Sequence, residues 1–222
     1  MEIKKYVINL KHRVDKLKTF QDECPYDDVE VFAAFNGHMS VFNMDNDMFN
    51  NTRIVVNIKN LKKGQYGCFI SHVLLWKQMI RNGDTYIMVF EDDAVFCKDF
   101  SNKLDTILQN IDTIDTILYF GGRFIPNYIM KNSIRVNKNL IKYDYNQKWD
   151  RMDCDRGTFG YIITRKIAEL LINSLHNPPF NLPIDDYITS ILRLYKLDMY
   201  STYPLLCHSF PSWECAYSDT NI

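Results

Sequence analysis

Apolar residues along this chain switch repeatedly between two spacings. Short continuous runs, of the kind buried strands need, occur at Lys5–Leu10, Val29–Phe35, Tyr86–Phe90, Thr116–Phe120 and Ile162–Thr164. Between them apolar residues recur at helical spacing. Val14, Leu17 and Phe20 predict a helix over Arg13–Glu23, ended by Pro25. The clearest helix opens at Gly64-Gln65-Tyr66-Gly67. Phe69, Val73, Trp76 and Ile80 mark its apolar face, Ile70, Leu74 and Leu75 widen it, and Gly83 ends it. A helix over Ser101–Asn110 takes Ser101 as its cap, and Thr164 caps another over Arg165–Leu175. A last helix begins at Pro183-Ile184-Asp185-Asp186, with Ile188, Ile191, Leu192 and Tyr195 on its apolar side.

Weaker patterns fill the rest. Residues 38–63 are dense in Asn and Asp and read as an irregular insertion, with a short strand at Ile54–Ile58. Ile134–Val136 and Leu140–Tyr143 read as strands, Trp149-Asp150-Arg151 as loop, and Tyr200–Leu206 as an extended segment before a polar, aromatic tail from Cys207. Strand, helix and strand with short connections predict an α/β domain, residues 1–222 as a single unit, with a mostly parallel central sheet flanked by helices.

Composition narrows the classes. The 222 residues are 46% hydrophobic and 14% aromatic, enough for a substantial core. With 26 basic and 27 acidic residues the net charge is -1, which gives no footprint for nucleic acid or an anionic membrane surface. No apolar run reaches the length of a membrane span. Met1–Lys5 runs straight into a strand without a signal-peptide core, so the expected location is cytoplasmic or host-cell/virus-associated. The six cysteines form no C-x-x-C pair and are expected to be mostly reduced.

The strand Tyr86–Phe90 runs directly into Glu91, Asp92 and Asp93. Three carboxylates at the carboxyl end of a buried strand are costly unless partnered. That end of an open α/β sheet is where ligands bind. Hard oxygen donors there suit Mg²⁺ or Mn²⁺ holding a diphosphate, and Glu91 and Asp93, two apart, share a side in extended backbone. An acidic turn capping the next helix is the alternative. Asn9, Leu10 and Arg13 stand at the end of the first strand, where nucleotides are contacted; Arg13 is either a phosphate ligand or a solvated helix residue. Gly121-Gly122 permits a sharp turn or a close ligand approach. Tyr161 and Trp149 are either sugar-stacking or core aromatics. His72 is either a donor contact or a histidine satisfied within its helix.

Several segments in the same order carry a resemblance: YVINLKHRVDKL, LKKGQYGCFISHVLLW, VFEDDAVF, GTFGYIITRKIAELL, LPIDDY and the tail SDTNI. Together they resemble glycosyltransferase family 25, the lipopolysaccharide-type and collagen-type sugar transferases. AAFNG departs from the Asp-Gly pair more usual there. The resemblance implies a GT-A-like, Rossmann-like fold and transfer of a hexose (galactose or glucose) from a UDP-sugar. The acceptor would be a hydroxyl of a glycan or a protein, collagen-like hydroxylysine included. It implies Mn²⁺, or Mg²⁺, on a variant D-x-D motif formed by Glu91, Asp92 and Asp93, with Asp93 the leading ligand and His208 a further one. Asn9, Leu10, Arg13, Asn36, Ser71, Glu91 and Asp92 become the candidate donor contacts. Inversion at the sugar carbon is implied, which requires a base, and Asp185 and Asp186 are its candidates; Asp185 matches the family's Asp. Against this stands the possibility that both acids merely serve the helix N-terminus.

Two further classes remain open on the sequence. One is a non-catalytic nucleotide-sugar or carbohydrate-binding domain of the same fold. The other is a metal-dependent phosphohydrolase, which also uses strand-end acids.

Overall fold

The structure is a computed structural model that describes residues 3–38, 61–109, 115–122, 133–143, 157–175 and 182–209. The expected strand at Ile54–Ile58, Trp149 and the tail beyond Ser209 lie outside them. In chain order the elements are β1 (Lys4–Asn9), α1 (Val14–Glu23), β2 (Val29–Ala33), α2 (Lys63–Asn82), β3 (Tyr86–Glu91), β4 (Ala94–Phe96), α3 (Phe100–Gln109), β5 (Ile117–Tyr119) and β6 (Gly121–Gly122). They continue as β7 (Ser133–Asn137), β8 (Leu140–Tyr143), β9 (Gly160–Thr164), α4 (Arg165–Ser174), α5 (Ile184–Leu194), β10 (Met199–Thr202) and β11 (Cys207–Ser209).

Eight strands form one sheet in the order β2-β1-β3-β9-β5-β10-β8-β7. β1 pairs in parallel with both β2 and β3, and β5 with β10. β9 and β8 run against the other strands, so the sheet is mostly parallel in direction but mixed in pairing. The central strands are apolar throughout because both faces are covered. Ile87 and Val89 of β3, Ile117 and Tyr119 of β5, and Tyr161 and Ile163 of β9 meet α2, α4 and α5 on one face. The alternate residues Met88, Phe90, Leu118 and Ile162 meet Phe20 of α1 and Phe100, Leu104 and Ile107 of α3 on the other. This is the period of two expected of strands.

Helix ends follow local chemistry. The Gln65 side chain accepts from the Lys62 amide at 3.0 Å, and Gly83 closes α2 in the left-handed region at φ 78°. Thr164 Oγ1 accepts from Ile167 N at 3.3 Å, as its capping role requires. Ser101 is not a cap: α3 starts at Phe100, and the Asp99 carbonyl takes the Lys103 amide. Burial of the Phe100 ring against Phe90, Phe96 and Phe120 draws that residue into the helix. Tyr195 is half exposed at the end of α5 and is not part of its buried side.

A second sheet, β4-β11-β6, takes its strands from the segments that follow β3, β10 and β5. Here the expectation for the chain's end is corrected, because Cys207–Ser209 is a strand, antiparallel to β4 and parallel to β6. Gly121-Gly122 likewise is a paired strand. A Cβ at Gly121 would lie 2.6 Å from both Cys207 Sγ and Gly160 N. The close approach that glycine permits here is thus to the protein's own backbone.

Candidate functional site

β1 leads to β2 on one side and returns, through α2, to β3 on the other. This reversal of strand order opens a crevice at the carboxyl ends of β1 and β3, the position where open α/β sheets hold ligands. The register sets Ile8 beside Glu91, so Asn9 and Arg13 face the acidic residues that follow β3.

Glu91, Asp92 and Asp93 go three different ways. The chain turns at Asp92-Asp93 between β3 and β4, which breaks the extended alternation expected to align Glu91 with Asp93. Asp92 is buried and bound within the protein. Its Oδ2 accepts from Asn9 Nδ2 at 2.7 Å, and Arg13 stands 3.5 Å from its Oδ1. Burial raises its pKa, opposed by Arg13 and Asn9. Asn9 Nδ2 also donates to the Arg13 carbonyl at 3.1 Å, so the three residues form one bracket across β1 and β3.

Glu91 turns toward α2. Its Oε1 accepts from Thr158 Oγ1 and lies 3.3 Å from His72 Nε2 and 3.9 Å from Cys68 Sγ. His72 is fully buried and fixed from behind. Its Nδ1 is 2.7 Å from Tyr161 Oη, which accepts from Trp76 Nε1 at 3.0 Å. Tyr161, with no exposure, is a member of this network and of the core. Thr158 and Cys68 were not singled out by the sequence reading. Cys68 and His72 stand four apart on α2 and therefore share a face, a spacing that was readable in advance.

Asp93 is left with a different balance. Its Oδ1 is shielded from solvent and has no hydrogen-bond partner. Burial first, then the charges of Glu91 and Asp92, push its pKa up to about 7, with Lys16 and Arg13 opposing. A carboxylate oxygen in this condition is the feature a bound cation would relieve.

Two other segments converge on these acids. His208 pairs with Val95 in the β11–β4 register, and burial first, then the charge of Asp93, pushes the neighbouring Cys207 thiol's pKa well up. The charges of Glu91 and then Asp185, at the start of α5, act on the Cys68 thiol, which burial has already pushed far up. Asp185 Oδ1 accepts from the Asp186 amide at 3.0 Å, a contact within the helix N-terminus. The remaining candidates bind within the protein. Leu10 O accepts from Arg13 N at 2.7 Å, Asn36 Oδ1 accepts from His38 N at 3.0 Å, and buried Ser71 accepts from Phe35 N at 2.8 Å while donating to Gly67 O. Cys24, Cys68, Cys97 and Cys207 are free thiols among the described residues.

Residues 2–188 match the family model described as glycosyltransferase family 25 (LPS biosynthesis protein). The chain belongs to this family. It is 26% identical over 213 residues to procollagen galactosyltransferase 2 of Homo sapiens, covering 89% of this chain and 32% of that one. It is 27% identical over 156 residues to the lipooligosaccharide biosynthesis protein lex-1 of Haemophilus influenzae, 65% of this chain and 48% of that one. Over 147 residues it is 26% identical to the inactive glycosyltransferase 25 family member 3 of Mus musculus, 64% of this chain and 23% of that one. The chain thus spans about a third of the length of the first of these relatives. No helix among the described residues is long and apolar enough to cross a membrane.

Proposed function

We propose that this chain is a metal-dependent glycosyltransferase that moves a hexose from a UDP-sugar to a hydroxyl of a glycan or protein, with inversion. The observation that carries the reading is Asp93, one of whose carboxylate oxygens, Oδ1, is shielded and without a hydrogen-bond partner at the carboxyl end of β3 in a family 25 chain. The names of the human and Haemophilus relatives support a galactosyl or related hexosyl transfer to collagen-like or lipooligosaccharide acceptors.

Mn²⁺ or Mg²⁺ is assigned to Asp93, a hard oxygen ligand, with Glu91 and His208 as the further candidates; these two would have to close on Asp93, because among the described residues it is Cys68, His72 and Glu91 whose ligand atoms already lie within 4.8 Å of one another. When bound, such an ion stabilises the negative charge that develops on the departing diphosphate. Asn9 and Arg13 hold Asp92 in place and thereby set the turn that presents Asp93. Thr158 and His72 hold Glu91 in the same manner. Arg13 and Lys16 add positive charge on the α1 side, suited to the donor's phosphates. Asp185 takes the proton from the acceptor hydroxyl as general base. Asp185 is preferred to Asp186 because it matches the Asp that the family resemblance places after Pro183.

The mouse relative whose name calls it inactive supports one second reading, a binding domain that no longer transfers sugar. An assay of UDP release from UDP-galactose and UDP-glucose, with and without Mn²⁺ and with collagen-like and oligosaccharide acceptors, separates the readings. Acceptor-stimulated, Mn²⁺-dependent release is expected. Saturable UDP-sugar binding without turnover overturns the transferase reading in favour of the binding domain, and acceptor-independent hydrolysis overturns both.

A further inference from the structure

Around Glu91 the structure assembles ligand types that the donor's cation does not call for. One ligand atom from each of Cys68, His72 and Glu91 lies within 4.8 Å of those of the other two. Two of the separations are 3.3 Å, between His72 Nε2 and Glu91 Oε1, and 3.9 Å, between Cys68 Sγ and Glu91 Oε1. A tetrahedral zinc site with bonds of about 2.0 Å to N or O and about 2.3 Å to S has ligand-to-ligand edges of about 3.3–3.8 Å. Two edges of the triad approach these lengths, and it closes on a zinc ion when the third, between Cys68 and His72 and within 4.8 Å, contracts to about 3.5 Å. Cys68 and His72 reach it from one helix face, four residues apart, and Glu91 from the adjoining strand end.

The surroundings are those of a supported metal site. A ligating imidazole is normally held through its other nitrogen. His72 Nδ1 is held by Tyr161 Oη, itself fixed by Trp76. A ligating carboxylate is normally hydrogen-bonded as well, and Thr158 donates to Glu91. His72 is fully buried, whereas Cys68 and Glu91 retain partial exposure, which leaves an approach from the crevice.

We propose that Cys68, His72 and Glu91 form a binding site for Zn²⁺, with water as the fourth ligand. Thiolate and imidazole select zinc over the hard ions Mg²⁺ and Mn²⁺. Thiolate and carboxylate together neutralise the dication, and the thiol proton leaves to solvent on binding. Without metal, His72 carries its proton on Nε2 and donates to Glu91, while Tyr161 donates to Nδ1. On binding, the ring carries its proton on Nδ1 and donates to Tyr161 Oη, which then accepts from both His72 and Trp76. On the transferase reading above, zinc occupancy also withdraws Glu91 from the donor's cation. Zinc then inhibits transfer, and a chelator restores it.

The binding test does not depend on activity. Purified protein is titrated with Co²⁺, whose thiolate complexes give a near-ultraviolet charge-transfer band, and then with Zn²⁺ against a chromogenic chelator. One equivalent is expected, with a thiolate band that Zn²⁺ abolishes and excess Mn²⁺ does not. Cys68→Ser loses the band and weakens Zn²⁺ by more than the roughly 10–100-fold that loss of an outer partner costs. Tyr161→Phe keeps the band and weakens binding within that range, and Asp93→Asn keeps the band. As a check independent of variants, Zn²⁺ protects Cys68 of the wild-type chain from alkylation, read by mass spectrometry. No thiolate band, a band that survives Cys68→Ser, its loss in Asp93→Asn, or an unprotected Cys68 each overturns the proposal.

Discussion

Replacing Asp93 by Asn is expected to abolish transfer and, without metal, to stabilise the fold. The carboxyl's pKa is raised from 3.8 to about 7 by burial and by Glu91 and Asp92. Between those values the folded chain holds a proton that the unfolded chain has released, so stability falls as pH rises. The neutral acid's advantage is complete below about pH 4 and is lost as pH passes through about 7. A shift of about three units corresponds to roughly 4 kcal/mol at about 1.4 kcal/mol per unit. Asp93 keeps some exposure, and its field is shared with Glu91 and Asp92, so roughly half of that, about 2 kcal/mol, is the expected effect.

Asn is nearly isosteric and carries no charge. At pH 8, in chelator, Asp93→Asn should therefore melt about 4–8 °C above wild type, while at pH 4 the two should coincide. Mn²⁺ should raise the melting temperature of wild type and not of the variant, since a ligand stabilises only a fold that binds it. Scanning calorimetry from pH 4 to 8, with and without Mn²⁺, reads all of this. A variant less stable than wild type at pH 8 in chelator would show that Asp93 forms favourable contacts of its own. The unpartnered oxygen of Asp93 would then not be a destabilising feature of the fold.

Further outcomes follow from the same geometry. Asp185→Asn should lower kcat by roughly a hundred- to ten-thousand-fold with UDP-sugar affinity within about twofold; an active Asp185→Asn beside an inactive Asp186→Asn moves the base by one residue, and a product that keeps the donor's anomeric configuration removes the need for either. His208→Ala should raise the Mn²⁺ concentration needed for half-maximal activity by about tenfold or more and leave acceptor KM unchanged; unchanged Mn²⁺ dependence would remove His208 from the ligand set. Gly121→Ala puts a Cβ 2.6 Å from the Gly160 nitrogen and Cys207 Sγ, and should cost about 1–3 kcal/mol by chemical denaturation. A neutral Gly121→Ala would mean that the β6–β9 contact is loosely packed.

The elements that could be read from the chain are those whose own residues decide them. β3 is apolar at consecutive positions because Ile87 and Val89 face one layer of helices and Met88 and Phe90 the other. α2 is marked by its long apolar face and by Gly83 at its end. Strand direction has no such mark. The run Gly160–Thr164 looks the same whether β9 runs with or against β3, and only the sheet order reveals that it is antiparallel. β11 escaped notice for a related reason. Cys-His-Ser has no strand pattern of its own and is held by β4, β6 and the glycines beneath Cys207.

The acidic triplet shows the same boundary at the scale of single atoms. Its position at the end of a buried strand was legible, because composition changes abruptly from Phe90 to Glu91. Its division of labour was not, because that depends on neighbours distant in sequence. Asp92 is claimed by Asn9, 83 residues away, and Glu91 by Thr158, 67 residues away. Both acids are thereby partnered inside the protein. The same partners fix the turn between β3 and β4, and it is this turn that leaves Asp93 Oδ1 shielded and without a hydrogen bond. The unpartnered oxygen of Asp93 is therefore produced by the bonds its two neighbours make. A substitution at Asn9 or Thr158, neither of them a proposed metal ligand, should for that reason disturb cation binding as a change in geometry rather than as a lost ligand.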